Sequence, residues 1–166
     1  MEREKQTHPF EPVWDENCRV LVLGTFPSVK SRENAFYYGH PQNRFWRVLG
    51  AVYGEAPPET VPEKRAFLLR RHIALWDVIA GCEIAGSADS SIRAAAPNDI
   101  PGLLEKCAVR RVLLNGKTAE RLYLKYWASL PVPHAALPST SPANAAWTLG
   151  RLTEAWKQAL QEDENG

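Results

Sequence analysis

The sequence lacks the marks of several large enzyme classes. It has no G-x-x-x-x-G-K-[ST] and no G-x-G-x-x-G stretch, so neither a nucleoside triphosphate nor a dinucleotide would find its usual backbone phosphate cradle. A G-x-S-x-G nucleophile elbow is also missing, which removes the commonest hydrolase arrangement. Cysteine is scarce. Cys18, Cys82 and Cys107 form no C-x-x-C pair, and three thiolates fall short of the four usual for an iron–sulfur cluster. They read as small buried hydrophobes in a reducing compartment. His8, His40, His72 and His134 are not at metal-ligand spacing, so neither a metal nor a cofactor is expected. No apolar run approaches the roughly 20 residues that cross a bilayer, and the first ten residues, MEREKQTHPF, lack the apolar stretch of a signal peptide. Charge of one sign is not in excess either: 20 Lys and Arg face 19 Asp and Glu, for a net +1. Any nucleic-acid contact must then come from a local patch rather than from the whole surface. The expectation is a cytoplasmic monomer that does not touch a membrane.

What is present is core material. Hydrophobic residues make up 45% and aromatics 10% of 166 residues, enough for one domain spanning 1–166 and short for two. Residues 1–18 read as an extended lead-in and 162–166 as a frayed tail. Apolar runs at 19–23, 73–76 and 111–114, with a weaker one at 131–136, read as strands. Helical spacing is found at 43–52, 59–71, 100–107, 117–127 and 143–161. Strands alternating with helices predict an α/β fold, a three-layer α/β/α sandwich around a central four-stranded parallel sheet. Ligands of such sheets sit beyond the carboxyl ends of the strands.

Two loops should open at that edge. The first, GTFPSVKSRENAFYYGHPQ, is longer than compact domains usually carry without a functional reason. Its aromatics beside small hydroxyls and two cations suit a stacked base with phosphates gripped nearby. Phe36, Tyr37 and Tyr38 would equally serve to pin the loop to the core. The second, LPSTSPANA, offers Ser141 and Pro142 as the N-cap and first residue of the last helix. A helix start also binds phosphate, and spacing alone does not choose between the two roles.

Taken together, GTFPSVKSRE, FYYGHPQNRFW, ALWDVI and LPSTSPANA resemble the uracil-DNA glycosylase superfamily. The HP-x-NRFW segment is similar to that of mismatch-specific uracil-DNA glycosylases, and the full combination looks most like the hypoxanthine-DNA (deoxyinosine) glycosylase family, over roughly residues 19–160. The resemblance implies an enzyme of base excision repair whose partner is DNA carrying a deaminated base. It would flip the damaged nucleotide out of the duplex and hydrolyse its N-glycosidic bond. A uracil or thymine mismatch glycosylase, or a nucleic-acid-binding module without catalysis, is the alternative.

Two positions depart from the superfamily pattern. Phe26 stands where most members carry an Asp or Asn that positions water, and Leu137 stands where their second motif begins with His or Asn. By resemblance the catalytic role passes to Asn43, which also lies where a helix begins and suits an N-cap. Asp77 is the second catalytic candidate, as a water-activating or base-recognising carboxylate. The base pocket is expected from Gly24, Thr25, Phe26, Pro27, Tyr38 and His40, with Tyr38 stacked on the base. Ser28, Lys30, Ser31, Arg32, Ser139, Thr140, Ser141, Pro142 and Asn144 are expected at the DNA.

Overall fold

The computed structural model describes residues 4–7, 10–26, 36–84 and 93–165. Four strands form the central sheet: β2 (Val20–Gly24), β3 (Ile73–Asp77), β6 (Arg111–Asn115) and β7 (His134–Leu137). Their order is β3-β2-β6-β7 and every neighbouring pair is parallel. Leu21, Val22 and Leu23 of β2 are fully buried, as a strand covered on both faces requires. Alternation along β2 sends Val20 and Val22 to one side and Leu21 and Leu23 to the other. On the first side they pack against α1 (Phe45–Tyr53), α2 (Val61–Arg70) and α5 (Leu149–Asn165). On the second they meet α3 (Ile100–Lys106) and α4 (Lys117–Trp127). This is the expected three-layer sandwich.

Local chemistry sets the helix ends. Thr60 caps α2 by accepting from the Glu63 N–H at 3.2 Å while its hydroxyl donates to the Glu63 carboxylate at 2.9 Å. Asp99 does the same for α3 through the Gly102 N–H at 3.0 Å. Gly54 ends α1 with φ 66°, the left-handed region that an L side chain rarely occupies.

Three expectations need correction. Residues 4–7 of the supposed lead-in form strand β1 (Glu4–Thr7), which pairs antiparallel with β4 (Ile79–Ile84). β4 also pairs with β5 (Arg93–Pro97), so a second, three-stranded antiparallel sheet stands where a polar segment was expected. The last helix starts at Leu149 rather than 143 and carries on to Asn165, through the stretch expected to fray. Thr148, not Ser141, makes its capping bond, accepting from the Arg151 N–H at 3.2 Å. Ser141 and Asn144 instead head two successive turns, closed by the Asn144 and Trp147 N–H groups at 3.0 and 3.2 Å. The Arg44 guanidinium donates to the same Ser141 and Asn144 carbonyls.

Candidate active site

Strand order reverses at β2, with β3 on one side of it and β6 on the other. In parallel α/β sheets this switch point opens a crevice at the carboxyl ends of the strands. Gly24 ends β2, Asp77 lies opposite it at the end of β3, and Asn115 ends β6. The Gly24 and Thr25 carbonyls accept from the Val78 and Ile79 N–H groups at 2.8 and 3.1 Å, which ties the chain leaving β2 to the chain leaving β3.

Gly24 has no room for a side chain. A Cβ there would stand 2.5 Å from Asp77 Oδ1 and 2.7 Å from Tyr38 Oη. The carboxylate and the phenol therefore press on the same point above the strand end. Asp77 is only 3% exposed. The absence of a Cβ at Gly24 is what lets these two groups converge.

Tyr38 is held in an unusual conformation. Its φ of 53° is rare for a non-glycine residue, and such strain gathers at functional sites. Its ring stacks on Phe45 of α1, centroids 4.1 Å apart and planes 26° from parallel. The neighbouring aromatics do the pinning. Phe36 and Tyr37 are buried, the Tyr37 hydroxyl donates to the Glu11 carbonyl at 2.9 Å, and the Trp46 indole donates to the Tyr37 carbonyl at 3.0 Å. Tyr38 alone of the three is half-buried. Phe26 packs into the core on the α3–α4 side as an apolar wall.

Asn43 sits just ahead of α1, and its carboxamide oxygen accepts twice. The Phe45 N–H and the Thr140 hydroxyl both donate to Oδ1 at 2.9 Å. Because a backbone N–H can only donate, the orientation of the amide is fixed: Oδ1 faces inward with both lone pairs used. Nδ2, with its two N–H bonds, has no partner among the described residues. The N-cap position itself falls to Arg44, which makes no side-chain capping bond; Asn43, one residue earlier, closes a turn onto the first helical N–H instead.

Thr140 joins the two loops. It was expected at the DNA, yet it is 0% exposed. Its N–H donates to Asn115 Oδ1 and its hydroxyl accepts from Asn115 Nδ2, each at 3.1 Å. The chain Asn115–Thr140–Asn43 runs from the end of β6 to the start of α1. Its backbone adds another tie, with the Arg44 N–H donating to the Thr140 carbonyl at 3.1 Å.

Arg44 is the other clamp. Its guanidinium donates to the carbonyls of Ser141 at 2.8 Å and Asn144 at 3.1 Å, and also to that of Trp147. Asn144 Nδ2 donates to the Ser139 carbonyl at 3.0 Å, and Ser139 Oγ accepts from the Ser141 N–H at 3.1 Å. These bonds shape the second loop from within. Pro142, Ala143, Ala145 and Ala146 are left exposed as its tip. His40 likewise organises its own turn: Nδ1 accepts from the Gln42 N–H and the carbonyl from the Asn43 N–H, both at 3.0 Å.

The structure thus brings Gly24, Thr25, Phe26, Tyr38, Asn43 and Asp77 to one edge. Pro27, Ser28, Lys30, Ser31 and Arg32 lie outside the described residues. Sequence reasoning missed Arg44 and Asn115. A faint signal existed for Asn115, a polar residue closing the apolar run Arg111–Leu114 just before Gly116. None existed for Arg44, which reads as one cation among many. Among the described residues no group of three or more His, Cys, Asp or Glu side chains could hold a metal, and no helix is long and apolar enough to cross a membrane.

An aromatic ring, a buried carboxylate and two tied loops thus meet at the carboxyl edge of the sheet. Comparison with known proteins gives the family. Residues 11–163 match the model of the uracil DNA glycosylase superfamily, and the chain belongs to that superfamily. Two curated relatives bear the name hypoxanthine DNA glycosylase. The one from Methanosarcina acetivorans is 36% identical and that from Methanosarcina barkeri 38%, each alignment covering 92% of this chain and 96% of the relative. A candidate uracil DNA glycosylase from Methanosarcina acetivorans, solved by solution NMR, superposes with a TM-score of 0.81. It is 34% identical, and the match covers 93% of this chain and 96% of that one.

Proposed function

We propose that this protein is a monofunctional DNA glycosylase that excises hypoxanthine, the base of deoxyinosine, in base excision repair. The observation that carries the proposal is Asn43 Nδ2, without a partner among the described residues and at the same sheet edge as Tyr38 and Asp77. The names of the two curated relatives support the choice of base. Phe26 in place of a water-positioning Asp or Asn argues against strong uracil excision.

The chemistry follows from what each group can still offer. Duplex bases are shielded, so the nucleotide must flip into the crevice, and a mispaired deaminated base costs least to extrude. Its ring would lie against Tyr38 with Phe26 as an apolar wall. Cleavage of the glycosidic bond leaves negative charge delocalised over the departing purine and positive charge on the sugar. A donor stabilises that departing charge, and Asn43 Nδ2 is one, since Oδ1 is already filled. The same N–H group can hold the attacking water by its oxygen, leaving a lone pair toward the sugar carbon. The acceptor for the water's proton is the Asp77 carboxylate. No metal or cofactor takes part in these steps.

The exposed tip of Pro142 to Ala146 fits the gap left by the flipped base, with Ser141 beside the flanking phosphate. Large exposed apolar side chains among the described residues are Trp14, Leu124 and Leu149, scattered rather than gathered in a patch, which supports a monomer. Cys18 and Cys107 are free thiols, as a cytoplasmic protein would have. The test is cleavage of duplex oligonucleotides with a single deoxyinosine, deoxyuridine or deoxyxanthosine, scored as alkali-labile sites. Deoxyinosine should be cut fastest. Faster cutting of deoxyuridine would make this a uracil or mismatch enzyme, and no cutting of any would overturn glycosylase action.

A further inference from the structure

The opposite edge of the sheet, at the amino ends of β2 and β3, holds a cavity of about 180 Å³. Arg19, Arg70, Arg71 and His72 line it, together with Tyr53 of α1 and Leu160 of α5. β2 lies between this cavity and the crevice at Gly24, so the two sites are separate. Arg110 and Arg111 stand close by: the Arg110 N–H donates to the Arg19 carbonyl at 2.7 Å, and Arg111 pairs with Val20 across the sheet. A chain of net charge +1 thus gathers a strongly basic corner here.

Part of that charge has an ordinary explanation. Arg70 and Arg71 sit at the end of α2, where cations favour the helix dipole. Glu55 pairs with both, at 2.8 Å with Arg70 and more closely with Arg71, and its carboxyl is held below the usual range by Arg71 first. Arg71 also lies over the Tyr53 ring, 4.4 Å from its centre.

Two features remain unexplained by helix capping. The buried nitrogens Arg71 Nε and His72 Nδ1 have no hydrogen-bond partner among the described residues. Buried polar atoms are normally satisfied, and an unmet one points to a missing partner. Arg19 reaches the same space from another element and makes no ion pair among the described residues. Among the described residues, Glu55 is the carboxylate that pairs with these guanidiniums.

We propose that this cavity binds a phosphate-sized oxyanion, either inorganic phosphate or the phosphomonoester end of a small metabolite. The volume falls below the roughly 300 Å³ at which pockets begin to hold drug-sized ligands, so an ion fits where a whole nucleotide would not. Arg70, Arg71 and His72 line one side of it and Arg19 closes another. Guanidinium forks match tetrahedral oxyanions in both charge and geometry. Arg70 and Arg71 are already fixed by Glu55 and Tyr53, so little ordering is required on binding.

The experiment titrates inorganic phosphate and, in parallel, deoxyribose 5-phosphate into the full chain, followed by calorimetry and by amide NMR shifts. Saturable binding at about 1 mM or tighter is expected, with shifts centred on Arg19, Tyr53, Arg71 and His72 and none at Gly24 or Asn43. Tighter binding of the sugar phosphate would identify a metabolite as the source, and equal binding the free ion. Arg19→Ala should weaken binding about tenfold or more, as loss of a charged hydrogen bond does. His72→Gly should do the same while suiting the φ of 61° at that position, so loss of fold does not obscure the result. Both variants should cut deoxyinosine as the parent does. The proposal is overturned if neither anion saturates by about 10 mM, if both variants bind as the parent does, or if the shifts centre on the sheet's other edge.

Discussion

The donor role proposed for Asn43 and its structural role are separated by one pair of substitutions. Asn43→Ala removes the oxygen that accepts from Phe45 and Thr140, and with it Nδ2. Asn43→Asp keeps an acceptor in the inner position and replaces only the outward donor with an oxygen. Two neutral hydrogen bonds at about 1 kcal/mol each put the alanine variant about 2 kcal/mol below the parent. For a chain of this size that lowers Tm by about 4–8 °C. The aspartate variant should melt within about 2 °C of the parent, since Asp accepts such bonds as well as Asn. Losing a donor aimed at developing charge typically costs a factor of about 100–1,000 in turnover. Both variants should show that loss in single-turnover cleavage of a duplex with one deoxyinosine. Full activity in Asn43→Asp would refute the donor role and leave Asn43 its structural role alone.

Gly24→Ala would drive a methyl group into Asp77 Oδ1 and Tyr38 Oη, at 2.5 and 2.7 Å. It should cost about 1–3 kcal/mol in urea unfolding and at least tenfold in turnover. Thr140→Val keeps the shape but leaves Asn43 Oδ1 and the Asn115 carboxamide each short of a bond. Turnover should fall about tenfold, as loss of roughly one hydrogen bond implies, with duplex binding by fluorescence anisotropy little changed. Arg44→Ala frees three carbonyls of the second loop, and limited proteolysis should then cut between Ser141 and Trp147, where the parent resists. Burial pushes the Cys18 thiol up to about 12, so at pH 8 it stays protonated. Peptide mapping after iodoacetamide should find Cys18 unlabelled in the native protein and labelled in urea.

The parallel sheet was legible because its strands are buried on both faces, and such burial writes continuous apolar runs such as Val20–Leu23 and Val112–Leu114. The antiparallel sheet was not. Its strands read Ile-Ala-Gly-Cys-Glu-Ile and Arg-Ala-Ala-Ala-Pro, without alternation, and β1 pairs across some 80 residues, Glu4 with Ile84. Ser141-Pro142 carried every local sign of a helix start and yet forms a turn whose carbonyls also accept from Arg44, a residue far off in sequence. The same limit applies at the site. Gly24, Phe26, Tyr38, Asn43 and Asp77 were visible as loop and strand-end residues in recognisable motifs. That the Asn43 carboxamide has its oxygen filled and its nitrogen turned away depends in part on Thr140, 97 positions away, and no local pattern records it.

The most direct measurement is a crystal structure of the protein bound to duplex DNA with a single 2′-fluoro-deoxyinosine, whose electron-poor sugar resists cleavage. The expected result is a hypoxanthine ring outside the helix, lying against Tyr38, with Asn43 Nδ2 in hydrogen-bond reach of the base or of the water beneath the sugar. A base still stacked in the duplex, or seated where Asn43 and Asp77 cannot both reach it, would contradict that mechanism.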